Sequence, residues 1–215
     1  MTTSKTAVIG LGNIGQAIAG NLSKSTRNFI VADRNINKAK ELSEKWGSNV
    51  EFSDITNAVK SADIVILAIP FEAIGEFLQQ YFSDLEGKII IDPSNPITPD
   101  THGGFKKVIE ENKSAGEINA TFLPENAKLI KALGTLGVNS LTEKAYQHPE
   151  KAVLFYASDN ENINSEVEKL IQDMGFDALL IGGLDQSIRI EVFGDLHEFG
   201  ALGKPVTLAE AQHKL

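Results

Sequence analysis

Apolar residues in this chain gather in short unbroken runs, separated by stretches in which they recur every third or fourth position. Thr6-Ala7-Val8-Ile9-Gly10, Phe29-Ile30-Val31-Ala32, Asp63-Ile64-Val65-Ile66-Leu67-Ala68-Ile69 and Lys88-Ile89-Ile90-Ile91-Asp92 lack polar alternation, as strands buried on both faces do. Between them, Ile14, Ala17, Ile18 and Leu22 mark a helix over 13–24, and Asn37 to Trp46 a second one stopped by Gly47. Val50-Glu51-Phe52 reads as a short strand, Asp54 as the N-cap of a helix reaching Lys60, and Phe71 to Phe82 as another helix. Such strands, joined by helices of about 10 residues, predict a parallel sheet covered on both sides.

The second half alternates less cleanly. A helix is expected over 114–121, and strands at Lys128–Leu133, Ala152–Ala157 and Ala178–Ile181. Val167–Met174 lies in a predicted helix and 185–199 forms a longer one, while Thr207-Leu208-Ala209-Glu210 has the form of a capping box. The segment Pro93–Gly104 holds three of the seven prolines and is expected to be irregular. The whole predicts a doubly wound, Rossmann-type α/β fold with a smaller C-terminal α/β extension. At 215 residues a single domain is expected, with a boundary near residue 145 as the alternative.

Composition narrows the chemistry. Zero cysteines exclude disulfides, thiolate catalysis and cysteine-held metal. A net charge of −9, from 20 Lys plus Arg against 29 Asp plus Glu, argues against nucleic acid and anionic membrane surfaces as partners. No apolar run reaches the roughly 18 to 20 residues of a membrane span, and Met1-Thr2-Thr3-Ser4-Lys5 has no signal-like region. The cytoplasm is the expected compartment. With that charge, an anionic ligand must be bound through local dipoles.

Val8-Ile9-Gly10-Leu11-Gly12-Asn13-Ile14-Gly15 supplies them. A strand, then Gly10-x-Gly12-x-x-Gly15, then a helix is the context in which this spacing cradles a dinucleotide pyrophosphate. The free N–H groups of the first helical turn, Asn13 and Ile14 among them, would face the phosphates. Asp33 follows at the end of the second strand, 18 residues after Gly15, where an acid accepts from the adenosine ribose and favours NAD. Arg34 beside it would instead pair a 2′-phosphate. At about 4 Å and an effective dielectric near 20, each effect is worth roughly 4 kcal/mol, so NAD and NADP both stay open.

Further candidates stand at strand ends, which border the crevice of open α/β sheets. Ala68-Ile69-Pro70 would line the ribose and nicotinamide. Ser94 and Asn95 would orient the carboxamide or a substrate carbonyl, although turn chemistry accounts for them equally. Thr135 and Leu136 would border a second ring, with a helix N-cap as the other role for Thr135. His102, His148, His197 and His213 are scattered and read as surface or helix-end charges. No Ser/His/Asp set and no metal cluster is evident, so neither a catalytic residue nor a metal ligand is assigned.

Ala7–Gly15, Ala68-Ile69-Pro70 and Lys131-Ala132-Leu133-Gly134-Thr135-Leu136-Gly137 together resemble the coenzyme F420-dependent NADP oxidoreductases. Gly182-Gly183-Leu184 and the stretch from Glu198 to Val206 are similar to short bacterial relatives of that family. The resemblance implies hydride transfer between NADP(H) and a flat deazaflavin stacked at the carboxyl ends of the strands. Two positions depart from its pattern: Asp33-Arg34 replaces Ser/Thr-Arg, and Gly134 stands where a histidine is usual. The absence of an acid–base set agrees with transfer between two redox cofactors, where the rings carry the chemistry. The sequence therefore predicts an NAD(P)-dependent oxidoreductase acting on a flavin-like or F420-type acceptor. Reduction of a small carbonyl or imine is the alternative, as is a non-catalytic dinucleotide sensor. A small-molecule redox acceptor is the expected partner, and a homodimer is left open.

Overall fold

A computed structural model describes residues 4–215. The signal-region reading at the N-terminus falls partly on residues 1–3, outside the described residues. Among the described residues ten strands form: β1 (Thr6–Ile9), β2 (Phe29–Ala32), β3 (Val50–Ser53), β4 (Ile64–Leu67), β5 (Ile89–Asp92), β6 (Ile97–Pro99), β7 (Phe105–Lys107), β8 (Lys128–Ala132), β9 (Val153–Ser158) and β10 (Asp177–Leu180). The helices are α1 (Asn13–Leu22), α2 (Ile36–Trp46), α3 (Ile55–Ser61), α4 (Phe71–Gln80), α5 (Ala115–Ala120), α6 (Val138–Glu143), α7 (Asn164–Asp173) and α8 (Leu208–Gln212). Local chemistry starts several of them. The side chains of Asn35 and Asp54 accept the N–H groups of Lys38 and Asn57, and Thr207 with Glu210 completes the expected capping box.

Eight strands make one sheet in the order β10-β9-β8-β5-β4-β1-β2-β3. The first six in sequence, β1 to β5 and β8, are parallel, and the chain reverses winding direction between β1 and β4. The apolar runs behave as their lack of alternation requires. Val8, Ile64, Ile66 and Ile91 enter one core layer, against Ile18 and Leu22 of α1. Ala7, Ile9, Val65 and Leu67 enter the other, against Ile74 and Leu78 of α4.

The C-terminal α/β extension carries the same sheet onward: β9 joins β8 antiparallel and β10 follows β9 in parallel. Two expectations change. Pro93–Gly104 is not wholly irregular, because Ile97–Pro99 pairs antiparallel with Phe105–Lys107. Proline is tolerated there because a two-stranded ribbon has free edges, and Gly103 (φ 93°) and Gly104 (φ 81°) make its turn. The predicted helix over 185–199 is a 3₁₀ turn at Leu184–Ile190 followed by a bonded, irregular strap. Its backbone leaves the helical ladder to reach other segments, as when Val192 N–H donates to Asn95 Oδ1 (2.7 Å). Gly194 and Gly200 then pack backbone against backbone, closer than any side chain would permit. Of its apolar residues, Ile190, Val192 and Leu196 are core, while Phe193 is exposed. Helix α6, which apolar periodicity does not signal, follows β8 directly.

Candidate active site

At the switch point, strand β1 runs into the glycine loop. Gly10 sits at φ 89°, and a Cβ there would stand 2.5 Å from Ala68 O. A Cβ on Gly15 would collide with the Gly10 carbonyl. Gly12 is different: the position of its missing Cβ has no atom within 4 Å. Two glycines are thus required by packing and the third leaves open space over the helix start. Helix α1 has no side-chain cap and no acid in its first turn, and Gln16 N–H is the first to reach a helical carbonyl (Gly12 O, 2.9 Å). The N–H groups before it are the orphan donors of a helix N-terminus. Open space above unsatisfied donors fits a dinucleotide pyrophosphate.

Asp33 braces this loop. Its carboxylate accepts Leu11 N–H (2.8 Å) and Asn35 N–H (2.9 Å), so it ties the glycine loop to the start of α2. Arg34 beside it is exposed and has no ion-pair partner among the described residues.

A cleft of about 790 Å³ opens from the loop along the carboxyl ends of β4, β5 and β8. It brings together Gly12, Asn13, Ile14, Ala68, Ile69, Pro70, Ser94, Asn95 and Leu136 from the residues singled out by sequence. Gly10, Leu11 and Gly15 support the loop from below. Thr135 is not at the surface of the cleft: it is 1% exposed, and its carbonyl accepts Glu198 N–H (3.1 Å). Asn95 lines the cleft with both ends of its amide engaged, Nδ2 to Gly134 O (3.1 Å) and Oδ1 to Val192 N–H. It is built into the wall and does not offer a free amide acceptor.

The far wall is what sequence reasoning missed. Just past β8, Leu133 is held in the left-handed region at φ 68°, and the strap 191–199 is bonded onto the turn that follows. His197 is 1% exposed, which corrects its reading as a surface or helix-end charge. Its Nδ1 accepts Phe199 N–H (2.9 Å), so Nε2 carries the hydrogen and donates to Gly134 O (2.9 Å). Burial pushes the imidazole down to about 4, and it is neutral near neutral pH. Glu198 accepts Gly137 N–H (2.7 Å) and the Ser140 hydroxyl, which fastens the strap to the start of α6. A Cβ at Gly134 would lie 2.5 Å from Pro93 O, so this turn has no room for a side chain at that position. An imidazole still reaches this strand end, from a residue 63 positions away. Phe71, Ile97, Phe105, Val192 and Phe199 give the cleft its apolar lining.

Hence the titratable groups His197 and Glu198 are bonded to protein partners, the exposed Glu72 of α4 also lines the cleft, and the Ser94 hydroxyl is a buried group of the lining without a partner. The glycine loop can hold a nicotinamide dinucleotide, and the walls can position a second ring beside it. No helix is long and apolar enough to cross a membrane, and no three or more His, Asp or Glu side chains cluster as metal ligands among the described residues.

Residues 5–96 match the family model of coenzyme F420-dependent NADP oxidoreductases. The F420-dependent NADP reductase of Methanothermobacter thermautotrophicus is 27% identical over 198 residues, covering 87% of this chain and 84% of the relative. A hypothetical protein of Sinorhizobium meliloti has a solved structure with TM-score 0.80 and 28% identity, covering 95% of each chain. Pyrroline-5-carboxylate reductase of Coxiella burnetii shares the fold at TM-score 0.67 and 17% identity, covering 90% of this chain and 65% of its own. The glycine loop and sheet order, together with these matches, mark the chain as an NAD(P)-dependent oxidoreductase whose N-terminal part is similar to the coenzyme F420-dependent NADP oxidoreductases.

Proposed function

We propose that this protein passes hydride between NADP(H), held on the glycine loop, and a flat flavin-like or deazaflavin acceptor in the same cleft. The observation that carries the reading is how the far wall is wired. His197, Asn95 and Glu198 all reach the cleft, and each is bonded to the backbone or hydroxyl groups of β8, α6 and the strap. Reduction of an alcohol-forming or amine-forming substrate needs an acid or base beside the hydride path. Transfer into a conjugated ring needs placement, with the chemistry supplied by the nicotinamide and the ring. The apolar lining of Ile69, Phe71, Ile97, Phe105, Leu136 and Phe199 suits an aromatic acceptor. Asp33 directs its carboxylate to backbone N–H groups while Arg34 is unpaired, which favours a 2′-phosphate at the adenosine end.

Titration with NADPH and NADH, followed by oxidation assays with riboflavin, FMN, FAD and an F420 analogue, tests the reading. Binding of NADPH with turnover of at least one ring acceptor is expected. Binding without turnover of any of them would make a dinucleotide sensor the better account. The unpartnered Ser94 hydroxyl supports a second reading, reduction of a small carbonyl or imine assisted by that group. Turnover of cyclic imines with none of the ring acceptors would favour it.

A further inference from the structure

Beneath the turn that carries Ser94 lies an ion cluster that hydride transfer itself does not use. Asp92, Lys131 and Glu191 are 0%, 2% and 2% exposed. Lys131 Nζ stands 3.2 Å from Asp92 Oδ2 and 3.8 Å from Glu191 Oε1. The remaining acceptor sites are filled. Asp92 accepts Ser94 N–H (2.8 Å) and Asn119 Nδ2–H (2.9 Å), and Glu191 accepts Ala115 N–H (3.0 Å) and Gly116 N–H (3.1 Å). Lys131 also donates to the Ser94 carbonyl. Ser94 is therefore gripped on its N–H by one ion and on its carbonyl by the oppositely charged one.

Burying two acids and a base costs desolvation, and apolar residues in such places often leave stability equal or higher. What the cluster holds is a better reason for it than stability. Ser94 is 7% exposed, lines the cleft, and has a hydroxyl with no partner inside the protein. The hydroxyl oxygen itself is covered, and with the backbone on both sides of it fixed, a turn about its own Cα–Cβ bond is what would bring it to a ligand in the cleft.

We propose that Lys131 and Asp92 are positioning residues that hold the Ser94 hydroxyl as the hydrogen-bonding partner of the nicotinamide carboxamide. Glu191 completes the device by steadying Lys131 and tying it to α5 and the strap. The inference rests on the dinucleotide reading above, which places the nicotinamide at the ends of β4 and β5.

Two ligands separate the parts: NADPH, and 2′-phospho-ADP-ribose, which lacks only the nicotinamide ring. Calorimetric titration of the full chain should give Ser94→Ala an NADPH affinity about tenfold weaker, with 2′-phospho-ADP-ribose unchanged within about twofold. The pair Lys131→Met with Glu191→Gln, which removes the base and one acid together, should show the same selective loss. Adding Ser94→Ala to it should cost nothing more, because both act through one hydroxyl. Asp92→Asn, which is isosteric and disturbs folding least, should weaken NADPH about threefold and spare the shorter ligand. Equal losses for both ligands, or NADPH binding untouched by Ser94→Ala, would overturn the proposal. So would additive losses in the combined variant. Wild-type protein that binds neither ligand would instead refute the dinucleotide reading beneath it.

Discussion

The cleft has two walls built on different principles. The glycine loop wall is made by omission: side chains are missing at Gly10, Gly12 and Gly15, and the N–H groups that open α1 have no side-chain cap. The far wall is made by engagement, with Asn95, His197 and Glu198 each bonded to backbone from segments 39 to 97 residues away. The first wall is open to an anionic ligand. The second is rigid and electrically quiet. A dinucleotide needs unsatisfied donors on one side, while a second ring needs a surface that holds still.

Glycine substitutions should separate these roles most sharply. Gly15→Ala drives a Cβ into the Gly10 carbonyl, so stability should fall by about 4 kcal/mol, with at least about a 100-fold loss of NADPH affinity. Gly12→Ala meets no protein atom, so urea denaturation should change by less than about 1 kcal/mol while NADPH binding weakens about tenfold. If Gly12→Ala bound NADPH normally, the open space above the loop would not be the pyrophosphate site.

On the far wall the order should reverse. Glu198→Ala frees the start of α6 and the strap from two hydrogen bonds to a carboxylate, and a loss of about 2 to 3 kcal/mol in urea stability is expected. Its affinity for 2′-phospho-ADP-ribose should stay within about twofold, since that ligand contacts the other wall.

His197 tests the same wall through pH. Its folded pKa of about 4 lies below the ordinary imidazole value, so below about pH 6.5 the unfolded chain takes up a proton that the folded chain refuses. Stability from this group is present above that pH and is lost as pH falls toward 4. Between about pH 7 and about pH 5 the loss should be about 2 kcal/mol. His197→Gln, which retains a donor for Gly134 O, should lower stability at neutral pH yet show a correspondingly flatter acid limb. An unchanged acid limb would mean that the imidazole titrates normally.

The contrast also explains what could be read from sequence. The strands β1, β2, β4 and β5 were legible because burial on both faces leaves a continuous apolar run, and the glycine loop because its spacing is local. The far wall was not, because its bonds join residues far apart, and neither Gly134 nor Glu198 signals its partner. Two hints were present but not read: Lys131 lies inside the apolar run Leu129–Leu133, and Asp92 closes an isoleucine triplet. A charge placed in a strand buried on both faces must find a partner. Residues 185–199 misled because the spacing of Ile188, Val192 and Leu196 is helical, while Gly194 and the outward bonds of the strap pull the chain elsewhere. Asp33 was legible from its place at the end of the second strand but not in its bonding, since acceptance of Leu11 N–H depends on the loop's three-dimensional course.

The smallest effect expected concerns the adenosine end. Arg34→Ala should weaken NADPH about fivefold and NADH by less than about twofold, because an exposed ion pair contributes about 1 kcal/mol. Equal losses for both cofactors would remove Arg34 from the 2′-phosphate.

The most direct test is the oxidation of NADPH by the purified protein with riboflavin, FMN, FAD and an F420 analogue as acceptors. The two-walled cleft predicts turnover with at least one of these rings, abolished by Gly15→Ala and preserved in His197→Gln at neutral pH. Tight NADPH binding with no transfer to any ring would contradict it.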